Sequence, residues 1–346
     1  AEPVLTLVLQ ADRWFSTLFW QKICSERKVL KMAENALVQK IKPTVTASPH
    51  FRSPETSQGM MLDVMLALVP ALAASVWLFG PRALAVNAIS IVSCILFEYV
   101  TRKILKRSNT IGDLSAVVTG LLLAFNLPST IPLWMIPIGA FVAIVVVKQF
   151  FGGIGQNFAN PAIAARIFLL LSFSLPMTTW VQVNSVSGAT PLAQMALARA
   201  GEMQTLPSYL EMFLGQRGGC LGETCALALI IGGIYLIAKK VITPTIPLAF
   251  IGGVAVLAVL FGENPLYHVM GGGCLIGAFF MATDYTTSPV TEKGKVIFGL
   301  GCAALTMIIR IFGSYPEGVS YAILLMNIIC PLIDRATKSK PFGGVM

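Results

Sequence analysis

The chain is poor in charge and almost empty of histidine. Aspartate, glutamate, lysine and arginine together make up 12% of its 346 residues, about half the share of a soluble domain, which is roughly 25%. So few charges cannot keep the surface of a globular fold wet, which excludes a soluble enzyme. Two histidines and seven cysteines (Cys24, Cys94, Cys220, Cys225, Cys274, Cys302, Cys330), with no Cys-x-x-Cys spacing, leave no ligand set for zinc or for an iron–sulfur cluster held by this chain alone. Cys220 and Cys225, the nearest pair, read as two small residues at a helix entrance. A dinucleotide loop is missing too. Gly152, Gly153 and Gly155 follow an apolar helix and do not space as G-x-G-x-x-G, so they predict close backbone packing between two helices.

What is present is apolar: 55% of the residues are hydrophobic. Runs of about 18 apolar residues or more recur between short polar stretches, the pattern of helices crossing a hydrocarbon core roughly 30 Å thick. The fold class expected is an all-α integral membrane protein with about ten transmembrane helices. These fall at 60–80, 83–101, 112–127, 131–149, 161–177, 225–240, 244–262, 268–284, 295–313 and 318–334. The fifth is the best specified: Asn160 is an N-cap and Pro161 occupies the first helical position, where a missing N–H costs nothing. The organisation expected is a tail over 1–58, a five-helix half over 59–177, a loop over 178–224, a second half over 225–334, and a tail over 335–346. Residues 1–31 contain no methionine and do not resemble a signal peptide. The natural start is expected at Met32, with a leader or added sequence upstream.

The net charge of +9 suggests nucleic acid only until the basic residues are placed. They lie in short loops and tails, as topology determinants do, and no nucleic-acid partner is expected. Twenty fall on one side: eight in the first tail, then Arg102, Lys103, Lys106, Arg107, Lys148, Lys239, Lys240, Lys293, Lys295, Arg335, Lys338 and Lys340. The opposite loops hold Arg82, Arg199 and Arg217. The basic side is the cytoplasmic one, so both termini are expected in the cytoplasm and the 178–224 loop outside it, in a bacterial inner membrane. The stretch 120–132 also aligns with 277–289. Each has a glycine followed, at the same spacing, by Ser/Thr-Thr-x-Pro. Two halves of opposite topology built on such a repeat would form two inverted five-helix repeats with broken helices at the midplane.

Five segments carry the chemistry. In order they are Phe151-Gly152-Gly153-Ile154-Gly155-Gln156-Asn157-Phe158-Ala159-Asn160-Pro161, Ser187-Gly188-Ala189-Thr190, Gly219-Cys220-Leu221-Gly222-Glu223-Thr224, Met281-Ala282-Thr283-Asp284-Tyr285-Thr286-Thr287-Ser288-Pro289, and Tyr315-Pro316-Glu317-Gly318. Alone, Ser187 to Thr190 is a small-residue turn with Thr190 as an N-cap. Together the five resemble the family that contains the D component of the Rnf complex and the B component of the sodium-pumping NADH:quinone reductase (the RnfD/NqrB family), over roughly residues 43–346. One departure is Cys220 and Cys225, where small hydroxyl residues are expected.

The resemblance implies an ion-translocating oxidoreductase subunit with FMN joined by a phosphodiester to Thr190, in the Ser187, Gly188, Ala189, Thr190 motif. It also implies a second, non-covalent flavin, riboflavin, which no residue pattern places. A flavin transferase would act during maturation, and the working partners would be membrane lipid and the other components (A, B, C, E and G) of an Rnf-type complex, coupled to sodium or proton movement. Ferredoxin and NAD would bind those other components. Overall length and the short first tail favour the Rnf branch over the quinone-reductase branch. A solute channel or carrier is the alternative from another class, because inverted repeats with broken helices suit it as well.

Ionisable groups in or near the apolar runs are functional suspects: Asp63, Glu98, Asp113, Arg166, Asp284 and Arg310. Arg166 lies well inside the fifth helix, with Glu98 as a candidate partner, and Arg310 is placed to meet the flavin phosphate. Thr283 and Asp284, with Thr286 and Thr287, offer oxygens for sodium or for capping a turn.

Overall fold

The computed structural model describes residues 56–180, 189–199, 201, 206–313 and 317–338. Ser187 and Gly188, the first tail up to residue 55 and the last eight residues lie outside them. A helix forms at each of the ten expected places, and among the described residues the only strand-like pairing is an isolated bridge between Pro128 and Cys220.

The first half opens with α1 (Ser57–Phe79) and α2 (Pro81–Ile104). Thr56 caps α1 by accepting from Gly59 N, and Gly80, at φ 73°, allows the reversal into Pro81 at the start of α2. Then come α3 (Ser115–Phe125), α4 (Met135–Phe141), which widens into a π-helix over Val142–Gln149, α5 (Pro161–Ser172) and the short α6 (Ser174–Thr178). Asn160 caps α5 as its sequence predicts, accepting from Ala162 N at 3.1 Å. The connecting loop contributes α7 (Pro191–Arg199) and α8 (Tyr209–Leu214). The second half has α9 (Ala226–Ala238), α10 (Thr245–Leu260), α11 (Pro265–Met270), α12 (Cys274–Ile276) running into a π-helix over Gly277–Met281, α13 (Glu292–Phe312) and α14 (Val319–Ala336).

Four helices, α1, α2, α13 and α14, are long and apolar enough to cross a bilayer. The others are shorter than the apolar runs suggest. With 11 residues, α3 reaches about 16 Å at about 1.5 Å per residue, half of a roughly 30 Å core. Two sequence expectations need correction. The helix expected over 268–284 is two pieces, because Gly272 and Gly273 take positive φ (60° and 70°) and turn the chain between α11 and α12, which continues into the second π-helix. The helix expected over 161–177 stops at Ser172, where Phe173 leaves helical geometry (φ −136°, ψ 57°). Apolar periodicity does not report such breaks: the residues beside the Gly272–Gly273 turn are buried in the core, and the run stays largely apolar on both sides of Phe173 although Leu171 and Leu175 are exposed.

The broken elements meet in the middle of the fold. The end of α3 and the second π-helix approach at Asn126, whose Nδ2 lies 3.7 Å from Met281 Sδ, and Asn160 Nδ2 donates to Met281 O. The 219–224 loop lies antiparallel on the end of α3, with Leu221 N on Leu127 O (3.0 Å) and Gly222 N on Phe125 O (2.9 Å). Only glycine fits at 222, because a Cβ there would stand 2.3 Å from Phe125 Cβ.

Candidate functional site

Two polar regions interrupt the apolar core. The first surrounds Arg166, which projects from α5 and is 4% exposed. Its Nη1 donates to Asn126 Oδ1 (2.9 Å) and Ser320 Oγ (3.1 Å), and its Nη2 to Cys220 Sγ (3.4 Å) and the Glu317 carboxylate. The expected partner, Glu98, is elsewhere: it pairs with Lys148 at 2.7 Å. The correction has a simple cause. Glu98 and Lys148 sit near the ends of α2 and the first π-helix at one pole of the fold, whereas Arg166 faces the loops that precede α9 and α14.

Glu223 joins this cluster from the 219–224 loop, with ligand atoms of Cys220, Glu223 and Glu317 within 4.8 Å of one another. Two further buried guanidiniums stand nearby. Arg217 donates to the carbonyls of Glu223 (2.8 Å), Thr224 (3.3 Å) and Met270 (2.5 Å). Arg310 donates to His268 O (2.6 Å), Gly271 O (3.0 Å) and Gly272 O (3.3 Å). Three guanidiniums against two carboxylates leave a positive excess, which does not suit a divalent cation.

The flavin-motif residues that are described are Ala189 and Thr190, at the start of α7. Thr190 is the N-cap residue of α7: its Oγ1 accepts from Ala193 N at 3.3 Å and it is 5% exposed. Leu192, on the first turn of α7, packs on the 271–273 turn. A Cβ on Gly272 would stand 2.4 Å from Leu192 Cδ1 and 2.8 Å from Arg310 Nη2, so Arg310 lies beneath the start of α7. Its Nε is buried without a partner. A second tie runs through Arg199 at the far end of α7, which pairs with Glu263 at 2.5 Å and reaches Arg310 O. An α7 N-terminus with an unpartnered guanidinium N–H below it suits an anion such as a phosphoester.

The second region is a cavity of about 390 Å³ at the pole that carries Lys239 and Lys240. Phe279 and Phe280 form apolar walls, while Ser115, Lys148, Asn157, Asp284 and Thr286 supply polar groups. Both π-helices border it. The extra residue per turn of a π-helix is uncommon and gathers at functional sites; here it brings Lys148 inward, bonded to Ser115 Oγ (2.8 Å) as well as Glu98. Thr283 and Asp284 lie on the same rim. Thr283 Oγ1 donates to Phe279 O, and Asp284 Oδ2 accepts from Thr286 (3.0 Å) and Thr287 (3.1 Å). Their oxygens are thus engaged in the turn's own hydrogen bonds. Gly152, Gly153 and Gly155 all take positive φ and so serve the turn into α5; a Cβ on Gly153 would stand 2.5 Å from Arg102 Nη2 and one on Gly155 would meet nothing within 4 Å, so turn geometry and not the expected close backbone packing is what these glycines provide.

A family model described as "NQR2, RnfD, RnfE family" matches residues 44–343, which takes in both polar regions. The chain belongs to that family. It is 49% identical over 302 residues to the D component of the Na(+)-translocating ferredoxin:NAD(+) oxidoreductase complex of Acetobacterium woodii, covering 87% of this chain and 95% of that one. It is 44% identical to the D component of the proton-translocating ferredoxin:NAD(+) oxidoreductase complex of Clostridium ljungdahlii, over 90% and 99% of the two chains. A third relative, the D component of the ion-translocating oxidoreductase complex of Halorhodospira halophila, is 36% identical over 86% and 95%. Members of the NQR2, RnfD, RnfE family thus include relatives named for different ions at similar distance, so likeness alone does not choose between sodium and proton. Family membership and the four apolar helices make the chain a multi-pass membrane protein.

Sequence reasoning singles out Arg166 and Arg310 but not Glu223, Glu317 or Lys148. The two glutamates stand in loops, where a carboxylate is ordinarily solvated, and Lys148 reads as one of the basic loop residues. The glycines and small residues around the glutamates are the available signal that these loops fold back into the core.

Proposed function

We propose that this chain is the membrane subunit of an Rnf-type ion-translocating ferredoxin:NAD oxidoreductase, carrying FMN on Thr190 and passing electrons coupled to sodium or proton movement. The observation that carries the subunit reading is the match to RnfD-type relatives over 87% and 90% of this chain and 95% and 99% of theirs. Support for the flavin comes from Thr190 capping α7, whose Leu192 packs on the same turn as Arg310, and from the unpartnered Nε of that arginine. The flavin would supply one- or two-electron chemistry on a tether that prevents its loss. The chain's own residues would hold the phosphate at the α7 N-terminus, keep Arg310 beneath it and exclude water through Leu192.

Because Thr190 is buried, the transferase reaches its hydroxyl only while α7 is lifted from the 271–273 turn. The second flavin, riboflavin, belongs in the cavity beside Lys148: the phenylalanine walls suit a planar ring and the polar rim suits its hydrogen-bonding edge and ribityl hydroxyls. The meeting of the end of α3 with the second π-helix at Asn126 suits ten membrane crossings in two inverted five-helix repeats. The basic pole then faces the cytoplasm with both termini, and Thr190 faces the other side.

The test is in-gel ultraviolet fluorescence of the denatured chain co-expressed with a flavin transferase, wild type beside Thr190→Ala. A fluorescent band that goes dark in the variant supports the reading. A dark wild-type band beside a glowing control flavoprotein rejects covalent flavin.

A further inference from the structure

The arginine cluster contains a carboxylate that its neighbours do not satisfy. Glu223 is 4% exposed and its Oε2 has no hydrogen-bond partner; Glu317 gives one oxygen to Arg166, and its Oε1 is likewise buried and unpartnered. The two carboxyl groups lie within 4.8 Å of each other. Arg217 and Arg310 contribute charge nearby, but their Nη groups are turned to backbone carbonyls and do not reach either free oxygen. Burying an unpaired carboxylate costs several kcal/mol, and two carboxylates in one buried site do not both ionise freely. A single proton removes both difficulties: it neutralises one acid and becomes the donor that the other carboxylate lacks.

We propose that Glu223 and Glu317 share one proton in the resting protein, while Glu317 keeps one oxygen on Arg166, and that this pair is a proton-binding site of the chain. The groups facing it are Arg166 from α5, Cys220 and Arg217 from the preceding loop, Arg310 from α13, and Ser320 and Tyr321 from α14. Burial, and then the neighbouring Glu223, push the Glu317 carboxyl up against the pull of Arg166, in agreement with a retained proton. The proton comes from water and returns to water; no bond other than O–H forms or breaks. The 271–273 turn stands between this site, at Gly273, and Leu192 on the first turn of α7, at Gly272, so negative charge arriving on Thr190 would favour uptake of a second proton by the pair. That last step rests on the covalent-flavin reading; the shared proton does not.

The experiment is infrared spectroscopy of the purified full chain in detergent at neutral pH, in H2O and D2O, with and without carbon-13 glutamate. The expected result is a protonated-carboxyl stretch that downshifts with both isotopes and is lost in Glu223→Gln, a variant that keeps a donor toward Glu317. Absence of any isotope-sensitive carboxylic acid band in the wild type would overturn the proposal, as would a band left unchanged by Glu223→Gln. If the variant does not fold, titration of the wild-type band decides: the proposal requires it to vanish only at alkaline pH, and its loss below neutral pH overturns it. The same spectra on Thr190→Ala keep the two readings separate, because the band should persist there whether or not flavin is ever attached.

Discussion

At the scale of single residues, the decisive groups are charges that the core has enclosed. Lys148 and Glu98 are a buried pair, 4% and 1% exposed at their side chains, and removing one partner leaves the other without a counter-charge. Lys148→Met is expected to destabilise the chain by about 3–5 kcal/mol, and adding Glu98→Leu should recover most of that loss. Thermal unfolding of the detergent-solubilised variants checks it; equal loss in single and double variants would mean the pair is not the reason. Lys148→Met should also lower the amount of riboflavin recovered by acid extraction of the purified protein, since the same ammonium lines the cavity. Arg310 is a different case. Its Nη groups tie down the 271–273 turn, so the sequence suspicion that it meets a phosphate concerns Nε alone, and Arg310→Lys is expected to fail as a replacement because lysine cannot serve three carbonyls in that planar arrangement.

At the scale of helices and turns, close approach and docking govern. Gly120, in the middle of α3, lies against α2, where a Cβ would stand 2.8 Å from Ile91 Cα and its own carbonyl accepts from Ser90 Oγ at 2.7 Å. Gly252, in α10, meets nothing within 4 Å. Gly120→Ala is therefore expected to cost about 1–3 kcal/mol by overpacking, whereas Gly252→Ala should be neutral or gain up to about 1 kcal/mol; melting temperatures of the two variants distinguish space from propensity. Docking of α7 is the second matter. Leu192 is 3% exposed and seats the helix, so Leu192→Asp should lift α7 and speed flavin attachment to the purified chain, read as the rate at which in-gel fluorescence appears. An unchanged rate would show that the transferase reaches Thr190 with α7 in place.

At the scale of the whole molecule, the cavity and the basic loops share one pole, whereas the arginine cluster lies at the middle, with Arg166 on Asn126, and the 271–273 turn separates it from α7. The orientation drawn from this asymmetry is checked with a membrane-impermeant maleimide on a Cys24→Ser background, where the remaining six cysteines are buried or half-buried. Lys239→Cys should react only in inverted membrane vesicles, and Leu210→Cys, on exposed α8, only in intact cells whose outer membrane has been permeabilised. The opposite pattern would reverse the topology.

The class of solvent, the all-helical character and the family were legible along the chain, because hydrophobic length and ordered local motifs are properties of neighbours in sequence. The Asn160-Pro161 cap was legible for the same reason: its hydrogen bonds close within three residues. That four helices are full-length while others are broken emerged only from the folded chain, since a glycine turn inside a buried run leaves hydrophobicity unchanged. The partners of the buried charges emerged there too. Arg166 meets Glu317, 151 residues away, and Lys148 meets Glu98, 50 residues away; such pairings are set by how helices and re-entrant loops pack, and no local spacing encodes them.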